Sequence, residues 1–480
     1  MANLRKTVSL GFFWSFGERI LAQGVSFIVS IILARFLLPS EYGSVAMVLV
    51  FINIANVFVS NGFGESLIQK KDATIVDFST IFWCSQIMAW ALYLMFFAIS
   101  PIVAKFYSNQ QLITVLRVLS LKLPLASINT IQHAYVSRHM QFKKFFWSTL
   151  WGTLISGVLG IILAYHGFGV WALVAQYLSN STIDTIVLYF TISWKPTLQF
   201  SKESARSLIG FGSKMMAAGL INTVYGEMQS LVIGKRYTAD DLAYYRRGGQ
   251  FPSLFVANIN TSVGKVLFPA MSNATEKKAI KSMTRRSMQI TAYLICPLMF
   301  GLIGISEALV KVLLTEKWLP CVPYLQVLSL AYVLQPIQTA NCQAIKALGK
   351  SDIYLNMEIV KKMFGIVLLI VSLNHGPFMI AISFVISVVA STVISCYPNI
   401  KLLGYSYKDQ IKDLYPSFSL AILMLFFVYP IKFVPVSTIV VLILQIVVGI
   451  ISYIALSRIT NNSTFVYLMG FIRTIKQERA

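Results

Sequence analysis

The chain has 480 residues, of which 56% are hydrophobic and only 12% charged. A soluble domain carries about twice that share of charge, so the composition excludes a single water-exposed globular fold and favours repeated membrane spans. The formal net charge is +22, but the basic residues lie in short tracts between apolar runs, which is the loop bias of membrane proteins rather than a nucleic-acid surface.

Arg5 and Lys6 precede a long apolar run that superficially looks like a secretory signal. It extends well past an ordinary signal core and lacks a small-residue cleavage site, so it reads as the first span, 10–34. A spanning helix needs about 20 apolar residues. On that basis further spans are predicted at 43–65, 78–104, 111–137, 146–165, 169–192, 207–234, 242–271, 288–314, 322–345, 353–373, 378–400, 414–431 and 436–457. The least apolar is 242–271, which contains Arg246, Arg247 and Lys265. With about fourteen spans, 24 loop and tail basic residues fall on one side and 7 on the other. Lys and Arg concentrate in cytoplasmic loops, so both termini are expected in the cytoplasm.

Five cysteines, Cys84, Cys296, Cys321, Cys342 and Cys396, are scattered with no disulfide or metal spacing. Neither a metal nor another cofactor is expected.

Two stretches recur in the same order. Leu116-Arg117-Val118-Leu119-Ser120-Leu121 returns 209 residues later as Leu325-Gln326-Val327-Leu328-Ser329-Leu330. Ala34 through Glu41 aligns with Gly234 through Asp241 at an offset of 200. Six spans separate the copies, an even number, so the halves share one orientation. Parallel repeats of this kind are a transporter design with the substrate path between the halves. The fold class is therefore an all-α integral membrane protein with two six-helix lobes, 1–200 and 201–405, and a third region, 406–480, holding two more spans and a tail.

Charge inside a span is unfavourable by about 2.5–3.5 kcal/mol on insertion scales, so retained intramembrane charges are the first functional candidates. The basic ones are Arg19, Arg117, Lys122, Lys214, Arg246, Arg247 and Lys265; Glu18, Asp184 and Glu227 are candidates for ion coupling or for counter-ions. Glu18 and Arg19 are adjacent and do not face each other on a helix. Lys361 and Lys362 are expected to be solvated near the cytoplasmic end of their span. Polar stripes add Asn53 and Asn56 in the second span, Gln250 and Asn260 in the eighth, and Gln326 in the tenth, each at helical spacing. Such faces also occur at ordinary helix contacts, but their recurrence on related spans favours a shared hydrophilic cavity. The balance is basic, which suits an anionic ligand such as a phosphate. Pro101, Pro124, Pro252, Pro297 and Pro336 interrupt spans and can bend them.

Ala34-Arg35-Phe36-Leu37-Leu38-Pro39-Ser40-Glu41-Tyr42-Gly43, then Asn61-Gly62-Phe63-Gly64-Glu65-Ser66 and Glu316-Lys317-Trp318-Leu319-Pro320 carry a resemblance over nearly the whole chain. The sequence resembles bacterial polysaccharide exporters of the Wzx flippase type, near the colanic-acid exporter group of the multidrug/oligosaccharidyl-lipid/polysaccharide exporter superfamily. The resemblance implies a non-enzymatic flippase that moves undecaprenyl-diphosphate-linked oligosaccharide from the cytoplasmic to the periplasmic leaflet by alternating access. It implies membrane lipid, a polysaccharide polymerase and a chain-length regulator as candidate partners, and no nucleic acid. Two other classes compete. An ion-coupled drug antiporter of the same superfamily should favour acidic intramembrane residues, whereas this chain favours basic ones. A membrane glycan polymerase or glycosyltransferase usually needs a sizeable catalytic loop, whereas these loops are short and carry no Gly-rich phosphate motif.

Overall fold

The computed structural model describes residues 21–60, 63–70, 72–274 and 276–470. Among them there is no β-strand. In chain order the helices are α1 (Leu21–Phe36), α2 (Pro39–Ser60), α3 (Phe63–Gln69), α4 (Ile75–Tyr107), α5 (Leu112–Leu119), α6 (Lys122–Arg138), α7 (Phe142–Tyr165), α8 (Val170–Thr191), α9 (Lys202–Arg236), α10 (Ala239–Ser272), α11 (Lys277–Leu314), α12 (Val322–Ala347), α13 (Ser351–Ser372), α14 (Pro377–Leu403), α15 (Tyr407–Val428) and α16 (Thr438–Ile459). Eight of the described helical stretches are long and apolar enough to cross a bilayer. The all-helical, multi-span architecture is thus the one hydropathy predicts.

The element order repeats. Pro39 opens α2 and Ala239 opens α10, 200 residues on. Arg138 ends α6 and Ala347 ends α12, 209 residues on, and α7 and α13 open with the same offset. The extra residues enter around α11, at the basic segment that begins with Lys277.

Two features depart from single long spans. The stretch 111–137 is two helices, because the α5 to α6 step falls at Ser120–Leu121, just before Pro124. Proline lacks a backbone N–H and clashes with the preceding turn, so it is tolerated near a helix start and not in its middle. The stretch 43–65 ends early, and a short helix, α3, follows it. Helix ends carry their own signals. Thr74 caps α4 through a reciprocal box with Asp77, and Ser406 caps α15 through one with Asp409. Gly404 ends α14 with φ of +61°, a left-handed turn that glycine adopts without steric penalty.

The chain divides into two compact units, Met1–Ala243 and Tyr244–Ala480, with the boundary inside α10. In the first unit α7 packs closely on α8. Gly152, Ser156, Gly160 and Ala164, one turn apart and all buried, form the seam. A Cβ on Gly160 would lie 3.1 Å from Gln176 Cβ, so the small side chains set the helix separation. In this unit α9 packs against α2, α3 and α4.

In the second unit α11 is the central helix, in contact with α12, α15 and α16. Tyr453 OH donates to the Tyr293 carbonyl at 2.9 Å, Tyr293 OH to Ser457 Oγ at 2.9 Å, and Gln445 Nε2 to the Gly304 carbonyl at 3.2 Å. These bonds fasten α16 to α11 where lipid offers no competing partner. The opposite face of α16 presents Ile439, Ile443, Ile450 and Ile454 outward. That exposed apolar stripe suits lipid contact rather than water.

Candidate functional site

In the first unit Asn53 of α2 donates from Nδ2 to Glu227 Oε1 of α9 at 2.9 Å. Asn56, one turn along α2, keeps a buried Oδ1 with no hydrogen bond. Asp184 of α8 accepts from Asn129 Nδ2 of α6 at 2.6 Å and lies 3.4 Å from His133 Nε2. Lys122, the first residue of α6, holds its ammonium over the Tyr177 ring at 5.4 Å. Arg117 of α5 stacks over Phe97 at 4.2 Å and donates from Nε to Ser100 Oγ at 2.8 Å. Both contacts draw Arg117 onto α4. Lys214 is exposed on α9. Glu18 and Arg19 lie outside the described residues, as does the side chain of Lys265.

In the second unit the adjacent arginines of α10 have different surroundings. Arg247 is buried, lies over the Trp318 ring at 4.9 Å and donates from Nη1 to Gln250 Oε1 at 2.7 Å. Trp318 itself is fully buried, and Tyr244 meets it edge-on. Gly248 admits the close approach: a Cβ there would sit 2.8 Å from Leu325 N. Arg246, next along the helix, is half-buried. Consecutive helix residues point about 100° apart, so one arginine enters the packing while its neighbour does not. Asn260 donates to Gln335 Oε1 at 3.4 Å and keeps a buried Oδ1 without a partner. Gln326 donates to Ser306 Oγ of α11 at 2.8 Å, so that member of its stripe ties two helices together.

The residues singled out from sequence are therefore gathered into several local pairs: Asn53 with Glu227, Asn129 and His133 with Asp184, and Arg247 with Gln250. Sequence reasoning passed over His133 and Asn129. The signal was available, since the two lie one turn apart on one face of α6.

Three other polar groups were missed or misjudged. Lys361 is not solvated as expected; it is 7% exposed and bonds Glu358 Oε1 at 2.9 Å. Ten residues of α13 separate it from Ser351, about 15 Å of helix, too deep for its head to reach the end of the span. Glu358, one turn earlier, neutralises it. Asp413 of α15 is buried and accepts from Arg285 at 2.6 Å, Gln289 at 3.0 Å and Tyr405 OH at 2.8 Å. Asn341 of α12 donates to Gln410 at 3.2 Å and accepts from Asn399 at 2.7 Å. Together these hubs join α11, α12, α14 and α15 through polar bonds. Between α12, α14 and α15 a cavity of about 340 Å³ opens, lined by Leu334, Ile337, Val393, Tyr407, Leu414 and Phe418 among others. Among the described residues no three His, Cys, Asp or Glu side chains gather as a metal site.

A family described as polysaccharide biosynthesis protein matches residues 32–323. Teichuronic acid biosynthesis protein TuaB of Bacillus subtilis is 26% identical over 62% of this chain, and the match spans about 62% of that protein's own length. Lipopolysaccharide biosynthesis protein WzxC of Escherichia coli is 23% identical over 88% of this chain and 87% of its own. The solved structure of lipid II flippase MurJ in an inward closed conformation superposes with a TM-score of 0.76, at 15% identity, over 95% of this chain and 99% of that one. At that identity the likeness is one of fold. The family match covers more than half of the chain and includes several of its long apolar helices. The chain is a multi-pass membrane protein that belongs to the polysaccharide biosynthesis protein family.

Proposed function

We propose that the protein is a flippase. Its substrate is an undecaprenyl-diphosphate-linked oligosaccharide, carried from the cytoplasmic to the periplasmic leaflet of a bacterial inner membrane for surface polysaccharide assembly. The single observation that carries this reading is the basic balance of charge retained along the helices of a multi-span chain of this family. A diphosphate is doubly anionic, and Lys and Arg are the side chains that hold phosphate oxygens through charge-assisted bonds. Lys214, Arg246 and Lys265 are the foremost ligands, with Arg19 and Lys122 as further cations and Asn53, Asn56 and Asn260 as sugar-binding amides. Arg117, Arg247, Gln250, Gln326, Asn53 and Asn260 are engaged by protein groups and would have to release them to reach a substrate. Glu18, Asp184 and Glu227 are the acidic candidates for ion coupling.

The cycle is alternating access by the two repeat halves, 1–200 and 201–405, with 406–480 appended and both termini cytoplasmic. The protein performs no bond chemistry, and a polymerase and a chain-length regulator would act on its product.

The test is charge reversal. Lys214→Glu, Arg246→Glu and Lys265→Glu are each expressed in a host whose own exporter is deleted, and surface polysaccharide is measured with membrane insertion as control. Each lost phosphate contact is worth about 1.4 kcal/mol or more, about a tenfold fall in export. Undiminished export by all three correctly inserted variants would overturn the basic-cavity reading.

A further inference from the structure

The His133 and Asp184 pair lies where α6, α7 and α8 meet within the first unit. Asp184 Oδ2 is held by Asn129 Nδ2 at 2.6 Å, and His133 Nε2 stands 3.4 Å from the same oxygen. Asp184 Oδ1 is buried with no hydrogen-bond partner. The His133 ring is stacked on Phe145 of α7, with centroids 4.4 Å apart and planes 29° apart, which keeps Nε2 aimed at the carboxylate. Gly152 of α7 faces Asp184: a Cβ there would lie 3.6 Å from Asp184 Cβ, so α7 packs directly against this part of α8. Beside the pair, Gln132 Nε2 donates to the Thr185 carbonyl at 3.2 Å, a second bond between the same two helices.

Asp184 is 16% exposed, but a carboxylate with one oxygen bonded and the other buried without a hydrogen bond is unfavourable unless a proton or a cation completes it. Asn129 can only donate a fixed N–H. His133 is the partner in the cluster whose ring nitrogen can take up or release a proton.

The other charged groups on the helices packed around α6 and α8 are placed as follows. Lys70 and Asp77 pair with each other at 2.8 Å. Arg138 bonds the Leu67 and Lys70 carbonyls. Glu41 of α2 accepts from Leu38 N at 2.7 Å. Lys122 lies over Tyr177, and Arg117 bonds Ser100. Lys105 is exposed near the end of α4. Lys143 and Lys144 begin α7, just before Phe145.

We propose that His133 and Asp184 form a proton-binding site whose occupancy is coupled to transport, with the imidazole as carrier and the carboxylate as its counter-ion. This deepens the flippase reading and rests on it for the word transport. The balance is simple: one proton passes from water to the imidazole and later returns to water, and no bond other than that N–H forms or breaks. Five residues, about 7.5 Å of helix, separate His133 from Arg138 at the predicted cytoplasmic end of α6, so exchange is with that side. Loading a proton places an ion pair across the 3.4 Å gap and draws α6 and α8 together; losing it leaves only the neutral bonds. The device acts on the helices of one unit, where a substrate-dependent shift would be felt.

The experiment has two arms on the full-length protein. In the first, histidine is isotope-labelled in detergent-solubilised protein, and the four imidazole signals are followed by NMR from pH 5 to pH 8. His133→Gln assigns one signal by its loss. Asp184→Asn is expected to move that signal's titration and leave the other three in place. An unmoved His133 titration would overturn the site. In the second arm, surface polysaccharide is measured in the exporter-deleted host between pH 5.5 and 7.5. The wild type is expected to vary several-fold. His133→Gln keeps a donor to Asp184 but cannot titrate, so its export should be flat across that range. A pH-invariant wild type, or a His133→Gln profile that follows the wild type, overturns the coupling. Should the wild type export nothing, the flippase reading fails instead, and the first arm still judges the proton site.

Discussion

The two units use repeat-related positions differently. At the offset of 209, Asn129, Gln132 and His133 of α6 correspond to Gln338, Asn341 and Cys342 of α12. All three positions are polar or polarisable in both copies. In the first unit the amide at 129 and the imidazole meet a carboxylate on another helix, α8. In the second, Gln338 bonds the Thr392 hydroxyl at 3.0 Å and Asn341 enters an amide cluster. Cys342 Sγ sits 3.8 Å from Lys361, whose counter-ion is on its own helix. A pair that bridges two helices changes their separation when its charge changes. A pair one turn apart on a single helix moves with that helix. At these repeat-related positions the second unit pairs its buried charge within one helix, while the first pairs one across two helices.

That contrast can be broken in order of effect. Glu358→Leu strands the Lys361 ammonium and is expected to destabilise by about 3–5 kcal/mol, because a buried charge loses its partner. Adding Lys361→Met should restore most of the loss, since an apolar pair of similar volume needs no partner. Thermal unfolding in detergent, with both variants side by side, measures this; a double variant as weak as the single would show that the pair serves more than neutralisation. Gly152→Val presses methyl groups toward the Asn180 carbonyl, 3.3 Å from the position of the new Cβ. Overpacking of that kind should destabilise the first unit by about 2 kcal/mol. The smallest expected effect is Asp184→Asn, about 1 kcal/mol, a single hydrogen bond's worth. A stability loss at Asp184 as large as that at Glu358 would erase the distinction between an exchangeable and a fixed pair.

Much of this layout is legible in the residues. Apolar run length and loop charge point to a multi-span helical protein, and the two recurring stretches predict the shift in offset from 200 to 209 that the helix starts and ends display. The break between α5 and α6 was also within reach, because Pro124 cannot sit mid-helix. Lys361 was misjudged because snorkelling depends on depth, and depth depends on where the helix begins. The neighbours Arg246 and Arg247 look alike in sequence. They part because consecutive residues of α10 point about 100° apart, and the direction of Arg247 meets the buried Trp318 ring.

What the sequence determined by itself is the class of structure and the charge balance, because bilayer thickness and the expense of burying ions act on any helix of this composition. Which charges meet across helices was decided by tertiary structure. Asp184 is fifty-one residues from His133, and only the packing of α6, α7 and α8 brings carboxylate, imidazole and aromatic ring within a few ångströms. Pairing across helices follows from rotation and crossing, which hydropathy does not encode.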